Sequence, residues 1–374
     1  MHTLKTPILL TALLVAFSVN TLAQKRIAID GTPQLAPHPT GNFDTQTILN
    51  EAAAATNVPM WTSNFSSGGT TYTYSMVGAD PTTSNATTKI PTVIIPLIFK
   101  FSSTSPATTI SPLSAGCGDT TAALTRVQKS PLFNNLTYKA GTTTVGTGQY
   151  IDVFQRANFW QSVGSVTPKY HTTLSPVTVA AAQTISVPAA SGAIPGFACS
   201  GHPVGEVIMS FVMNKLPGIL TALKVPKTTF PLFVSYDVVE VSKLGATGVT
   251  FGWHYFTPSN QTYGIGTYLD PGIFTGSADI SALSHEIGEW VNDPFGNNIV
   301  PQWGHIGQVA GCQNNLEVGD PLSGNIFAAK LNGFTYHLQD LAFFSWFARQ
   351  SPSIAVNGQY SPAKHLTAPS TPCP

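Results

Sequence analysis

The sequence predicts an α+β fold, β-rich and loop-rich, with a mixed or antiparallel sheet and a few short helices. Three observations predict it. Short runs of branched and aromatic residues recur, among them residues 90–101 (IPTVIIPLIFKF) and 230–241 (FPLFVSYDVVEV), and such runs are strand-like. Helix-spaced apolar residues occur at 148–162 and 277–291, interleaved with the strands but without the regular alternation of βαβ units. Glycine (32 residues) and proline (29) are frequent enough to break the remainder into turns.

The elements follow in order. Residues 1–23 read as a secretory signal peptide: Lys5, an apolar stretch over 7–19, then Thr21-Leu22-Ala23 at the cleavage position. That stretch is shorter than the roughly 20 residues a membrane span needs, so no membrane attachment is expected after cleavage. Residues 24–90 form a polar, turn-rich N-terminal segment with loops near 66–69 and 80–88. A domain is expected over 91–360. In its first strand Pro96 predicts an edge position or a bulge, because proline donates nothing to a ladder. A helix broken at Pro131 is expected over 120–134. The helix over 148–162 turns Tyr150, Ile151, Val153, Phe154, Phe159 and Trp160 to the core, with Asp152, Gln155 and Arg156 opposite. Residues 177–188 read as a strand and 204–223 as a helix up to Pro217. Residues 230–241 and 248–256 are strands, and 263–268 is a short extended piece. A helix over 277–291 takes Ser277 or Asp279 as its cap and stops at Asp293-Pro294. Residues 361–374 are a tail rich in Pro, Ser and Thr, held chiefly through Cys373.

Composition narrows the function. Charged residues are only 9% of the chain, and 17 basic residues balance 17 acidic ones. No basic field exists to hold nucleic acid or anionic lipid. The roughly 350 residues left after cleavage suffice for one large domain or two smaller ones. The four cysteines, Cys117, Cys199, Cys312 and Cys373, match no C-x-x-C metal spacing. In an exported chain they predict two disulfides, with three possible connectivities.

The chemistry concentrates in Ser284-His285-Glu286-Ile287-Gly288-Glu289-Trp290-Val291-Asn292-Asp293-Pro294. It resembles the H-E-x-x-H helix of zinc peptidases with the second histidine replaced by glutamate. His285 and Glu289 stand one helical turn apart, so their side chains can converge on one cation. Glu286 points about 100° round the helix, towards an open coordination position. Asp293 stays near the same face. Gly288 costs a helix about 1 kcal/mol relative to alanine and therefore marks a close approach by a strand or a substrate. Further ligands must come from elsewhere: Glu317 or Asp320 in Glu317-Val318-Gly319-Asp320-Pro321, then His305, or His254 in Gly252-Trp253-His254. One imidazole with carboxylates suits Zn2+, and also iron(II), and a carboxylate-heavy set suits calcium, manganese or magnesium.

These pieces together resemble a known family. SHEIGEWVNDP, a downstream Trp and EVGD resemble the pattern SHELAE-x-x-x-DP…W…EIGD of the plant exordium-like (phosphate-induced) proteins and of related secreted bacterial proteins. Gly252-Trp253-His254 is similar to their GWH or GYH strand. QYIDVFQRANFW at 149–160 and Tyr336-His337-Leu338-Gln339 resemble further segments of the bacterial members. The likeness spans residues 90–350. It implies an extracellular protein with a metallopeptidase-like core; the plant members are associated with the cell wall. In that family Cys often follows EIGD, whereas Pro321 follows here and Cys312 precedes it, so no disulfide pairing carries over.

The expectation is a secreted metal-binding protein, in the periplasm or on the cell surface if not free outside the cell. As a zinc-dependent hydrolase of the peptidase kind it would act on a peptide or protein. His285, Glu289 and Glu317 or Asp320 would hold zinc, Glu286 would be general base, and His254 would hold the developing oxyanion. The alternative is a non-catalytic, cell-wall-associated module that binds wall polymer and carries a structural ion. A glycosidase fits less well, because Glu286 and Glu289 lie too close on one helix to flank a sugar bond.

Overall fold

The computed structural model describes residues 50–373 apart from 52–53, 164–168 and 200. The expected signal peptide, and residues 24–49 of the expected N-terminal segment, lie outside the described residues.

The fold is β-rich, with mixed and antiparallel sheets. β1 (Met60–Ser67) and β2 (Thr70–Val77) form a first hairpin, so this part of the polar segment is ordered pairing and not loop. β3 (Thr87–Phe101) is the long central strand, followed by β4 (Thr108–Ile110). β5 (Leu136–Ala140) and β6 (Thr143–Gly148) make a second hairpin. β7 (His171–Val179) and β8 (Gln183–Val187) both lie along β3. β9 (Gly192–Phe197), β10 (Pro203–Ile208), β11 (Phe230–Tyr236) and β12 (Val238–Val241) come next. β13 (Gly252–Phe256), β14 (Thr262–Phe274) and β15 (Ser277–Asp279) precede the motif helix Ser281–Asn292. Two hairpins follow: β16 (Ile299–Ile306) with β17 (Val309–Asn315), and β18 (Ile326–Leu331) with β19 (Phe334–Gln339).

The main sheet runs β13-β14-β11-β3-β4, with β7 and β8 also on β3 and β15 on β14. β14, β11, β3, β7 and β8 pair in parallel; β13 and β4 close the ends antiparallel. Pro96 therefore sits in an interior strand. It is tolerated because β7 pairs with β3 as far as Ile94 and β8 only from Leu97, which leaves a gap where no amide is needed.

Other expectations need correction. The first five residues of 204–223 belong to β10, the middle strand between β9 and β12; helices follow at Met209–Met213 and Leu216–Ala222, and Pro217 lies in the first turn of the second one. The helix Tyr150–Asn158 is buried all round. Asp152 accepts from the Thr172 amide and meets His171 Nδ1, and Arg156 donates to the Tyr170 carbonyl, so its polar side faces protein. Neither Ser277 nor Asp279 caps the motif helix: Ile280 is the cap position, and Asp279 instead binds the Ile280 amide, the His337 amide and His337 Nδ1. The C-terminal tail is packed, with Leu366 and Ser370 buried and the Ser370 amide on the Trp346 carbonyl. The cysteines pair Cys117–Cys199 and Cys312–Cys373. Among the described residues no helix is long and apolar enough to cross a membrane.

Every residue of the motif helix is buried. Leu283, Ile287, Trp290 and Val291 join the main core, each aliphatic side chain contributing about 1.5–3 kcal/mol. Trp290 stacks on Phe230 at 3.7 Å and donates to Thr262 Oγ1. Gly288 is met by Leu341, a side chain and not a strand or substrate: a Cβ there would lie 2.5 Å from Leu341 Cδ1. A helix buried on all sides has no solvated face, so His285, Glu286 and Glu289 must be satisfied inside the protein.

Asp237 marks the point where the chain leaves the main sheet for the β12-β10-β9 sheet, with φ at +47°. Its Oδ1 accepts from the Asp270 amide. Burial, then the Asp270 carboxylate, push the Asp237 acid up to about 8. An unfolded aspartate ionises near 3.9. Between roughly pH 4 and 8 the unfolded chain has therefore lost a proton that the folded chain keeps, and stability falls as pH rises through that window. Asp237→Asn keeps the acceptor, tolerates positive φ and removes the charge. It is expected to raise stability at pH 8 by about 1–2 kcal/mol, roughly 2–5 °C in Tm, with the gain vanishing towards pH 4. Thermal melts across that range check it; a gain independent of pH contradicts it.

Candidate metal centre

The motif helix brings His285 and Glu289 together as the spacing requires, with Nε2 3.0 Å from Glu289 Oε1. Asp320, opening the 3-10 turn Asp320–Leu322, places Oδ1 3.6 Å from the same nitrogen. All three are buried, and each offers a ligand atom within 4.8 Å of the others. With bonds of about 2.1 Å, separations of 3.0 and 3.6 Å correspond to angles of about 90° and 120° at a shared cation, within the range such ions accept.

The surroundings orient these groups. His285 Nδ1 donates to Gln339 Oε1 at 3.1 Å, so Nε2 is the nitrogen turned to Glu289 and Asp320. Gln339 is fixed in turn: its Nε2 donates to the Gly319 carbonyl and its own carbonyl accepts from Tyr150. Glu289 Oε1 accepts from the Gly319 and Asp320 amides at 3.1 and 3.2 Å. Gln308 and Gln313 each donate to Asp320. Gln339, Gln308 and Gln313 were not singled out by the sequence. Only Gln339 carried a signal, as the last residue of the Tyr336-His337-Leu338-Gln339 segment.

Three further expected residues lie beside this set. Glu286 turns Oε1 to within 4.0 Å of His285 Nε2 and Oε2 to within 3.6 Å of His254 Nδ1. His254 Nε2 donates to the Asp293 carbonyl at 2.9 Å. Glu317 Oε2 lies 3.9 Å from His254 Nε2, while Oε1 accepts from Asn315. Glu317 thus stands on the His254 side, and of the Glu317–Asp320 pair it is Asp320 that meets His285. Two alternatives fall away. The Asp293 carboxylate is taken by the Asn297 and Asn298 amides at the helix end. His305 is exposed on β16 beside the Cys312–Cys373 disulfide.

The electrostatics disfavour four ionised carboxylates side by side. Glu286, Glu289, Glu317 and Asp320 line one cleft, whose lining contains no Lys or Arg among the described residues. Burial, reinforced by Glu289, lifts Asp320 to about 8 and holds Glu317 well above the usual carboxylate range. Burial also raises Glu286. Burial opposes charge on His285, but Glu289, Glu286 and Asp320 outweigh it and raise the imidazole to about 10; that charge keeps Glu289 ionised against its own burial. Without a cation the cluster therefore holds extra protons. Glu286 Oε2 and Glu317 Oε2 are buried with no hydrogen-bond partner. A donor set of this kind fits a divalent cation.

Comparison with protein-family models, with curated proteins and with solved structures finds no match for this chain. The two other histidine–cysteine groupings, at Cys117–Cys199–His202 and His305–Cys312–Cys373, contain disulfide sulfurs and no free thiolate.

Gly319 tests the geometry. Its φ of −85° suits alanine, but a Cβ would lie 2.5–2.7 Å from three atoms of the His285 ring. Gly319→Ala is expected to weaken cation binding about 10–100-fold by displacing His285, with folding retained. Calorimetric titration of the stripped protein checks it; unchanged affinity contradicts it.

Proposed function

We propose that this protein is an exported, divalent-cation-dependent hydrolase of the peptidase kind, with zinc the first candidate. The observation that carries the reading is Glu286, an acid in an open cleft, poised beside the His285–Glu289–Asp320 set with Oε1 4.0 Å from His285 Nε2. A cation held by those three residues would act as a Lewis acid and lower the pKa of a bound water towards 7. Glu286 would take the water's proton at Oε1 and return it to the leaving nitrogen. Burial raises its basicity for that task. His254 has its Nε2 proton committed to Asp293, so an oxyanion role is not assigned to it.

The cleft wall supports a peptide substrate. β13 is an end strand of the main sheet, and residues 249–255 line the cleft. The Thr267 amide donates to the Phe251 carbonyl on the β14 side, so ladder alternation turns the Gly252 and His254 main chain to the other edge. An extended peptide can add there as a strand. The leader-like N-terminus, the two disulfides and the resemblance to exordium-like proteins support an extracellular setting.

The second reading is a structural ion in a non-catalytic, cell-wall-associated module that binds wall polymer. It is favoured by one fact: the ion would tie the motif helix to the 317–320 turn and, through Gln339, to β19. A peptide library decides between them. Cleavage that is lost in chelator and restored by Zn2+ supports the hydrolase; no cleavage, with a large fall in Tm on chelation, supports the module.

A further inference from the structure

The cleft holds a second set of ligands. His254, Glu286 and Glu289 are buried, and each offers one ligand atom within 4.8 Å of the others. Glu289 belongs to both sets. Its Oε1 is 3.0 Å from His285 Nε2 and its Oε2 3.8 Å from His254 Nδ1, so one carboxylate faces two imidazoles with two different oxygens. Glu286 Oε2 is 3.6 Å from the same Nδ1.

Three observations say that this second set expects an ion. Glu286 is 5% exposed, and its Oε2 faces His254 Nδ1 across 3.6 Å with no partner at hydrogen-bond distance; Glu317 Oε2, 3.9 Å from the other nitrogen of His254, has none at that distance either. Leaving such atoms bare in the interior is costly, and a cation removes the cost. The Asp293 carbonyl takes the proton on His254 Nε2, so Nδ1 is the nitrogen turned to Glu286 and Glu289, the arrangement that fixes a ligating histidine. The number of acid groups also matches: Glu286, Glu289, Glu317 and Asp320 crowd one cleft whose lining contains no Lys or Arg among the described residues, as many carboxylates as two divalent cations neutralise.

We propose that the cleft binds two first-row divalent cations: one at His285, Glu289 and Asp320, the other at His254, Glu286 and Glu289, with Glu289 bridging and Glu317 beside the second ion. Two imidazoles with four carboxylates also form the ligand set of carboxylate-bridged two-metal proteins. In the filled site Glu286 holds the second ion through Oε2 and keeps Oε1 turned to the first. The proposal rests on the His285 site for its first ion, and the following test separates the two.

The full chain is stripped with chelator, dialysed and titrated with Mn2+, with bound metal counted by mass spectrometry and the paramagnetic resonance spectrum recorded. The expected result is two equivalents per chain. At the second equivalent, the hyperfine pattern of isolated ions should give way to the broadened signal of an exchange-coupled pair. His254→Ala is expected to drop the count to one and restore the isolated-ion spectrum. One equivalent in the unaltered protein overturns the second site and leaves the first standing. None overturns both. Two equivalents with isolated-ion spectra, or two retained in a folded His254→Ala, place the second ion elsewhere and overturn the bridge.

Discussion

Glu286→Gln is expected to lower peptide hydrolysis by about 10²–10⁴-fold while the cation at His285 stays bound, because the amide fills the same space but takes no proton. The size follows from the position. Glu286 Oε1 is 4.0 Å from His285 Nε2, and the other cleft carboxylate outside the His285–Glu289–Asp320 set among the described residues, Glu317, turns Oε2 to His254 Nε2 at 3.9 Å. The glutamine change also lowers the buried negative charge, so the stripped variant should be at least as stable as the stripped parent. Cleavage rates and bound-metal counts on the same preparations check both halves. Full activity in Glu286→Gln removes the general-base assignment, and loss of all metal means that the residue is a ligand and nothing more.

Glu289→Gln is expected to have the largest effect on binding and on folding. The amide oxygen can still accept from the Gly319 and Asp320 amides, so the local turn survives. The negative charge that faces both imidazoles is lost, and cation affinity should fall by more than about 100-fold. An ion present at about a thousand times its dissociation constant stabilises the fold by about 4 kcal/mol. Losing it should lower Tm by on the order of 10 °C in metal-containing buffer. In chelator the parent and the variant should melt within a few degrees of each other, since neither then holds an ion. A large gap that persists in chelator would mean that Glu289 acts through its hydrogen bonds alone.

The sequence made the core of the site legible because helical spacing is a geometric rule. His285 and Glu289 at i and i+4 had to share a face, and they do. The downstream carboxylate turn was legible as a pair. Which member would meet His285 was not, because that depends on the 3-10 turn at Asp320 and on how the Gly319 and Asp320 amides dock on Glu289. His254 could be placed on a strand, but its partners lie 32 and more residues away, beyond any local pattern. The glutamines at 308, 313 and 339 act by holding His285 and Asp320 from a hairpin turn and two strands, a role that leaves no spacing signature.

The fold was legible where strands were long and rich in branched or aromatic residues, as in β3 and β11, and less so where apolar runs were short. β10 (PVGEVI) is apolar without strict alternation because residues 204–207 are all buried, and such a run resembles a buried helix. Pro96 was read correctly for its missing donor but placed wrongly, because no local rule shows that two successive partners leave a gap opposite it.

Diffraction data from crystals of the zinc-loaded chain, collected on both sides of the zinc absorption edge, test the central claim most directly. The expected result is an anomalous peak about 2.0–2.2 Å from His285 Nε2, a Glu289 oxygen and an Asp320 oxygen at once. Full zinc loading with no peak among those three residues would contradict the account.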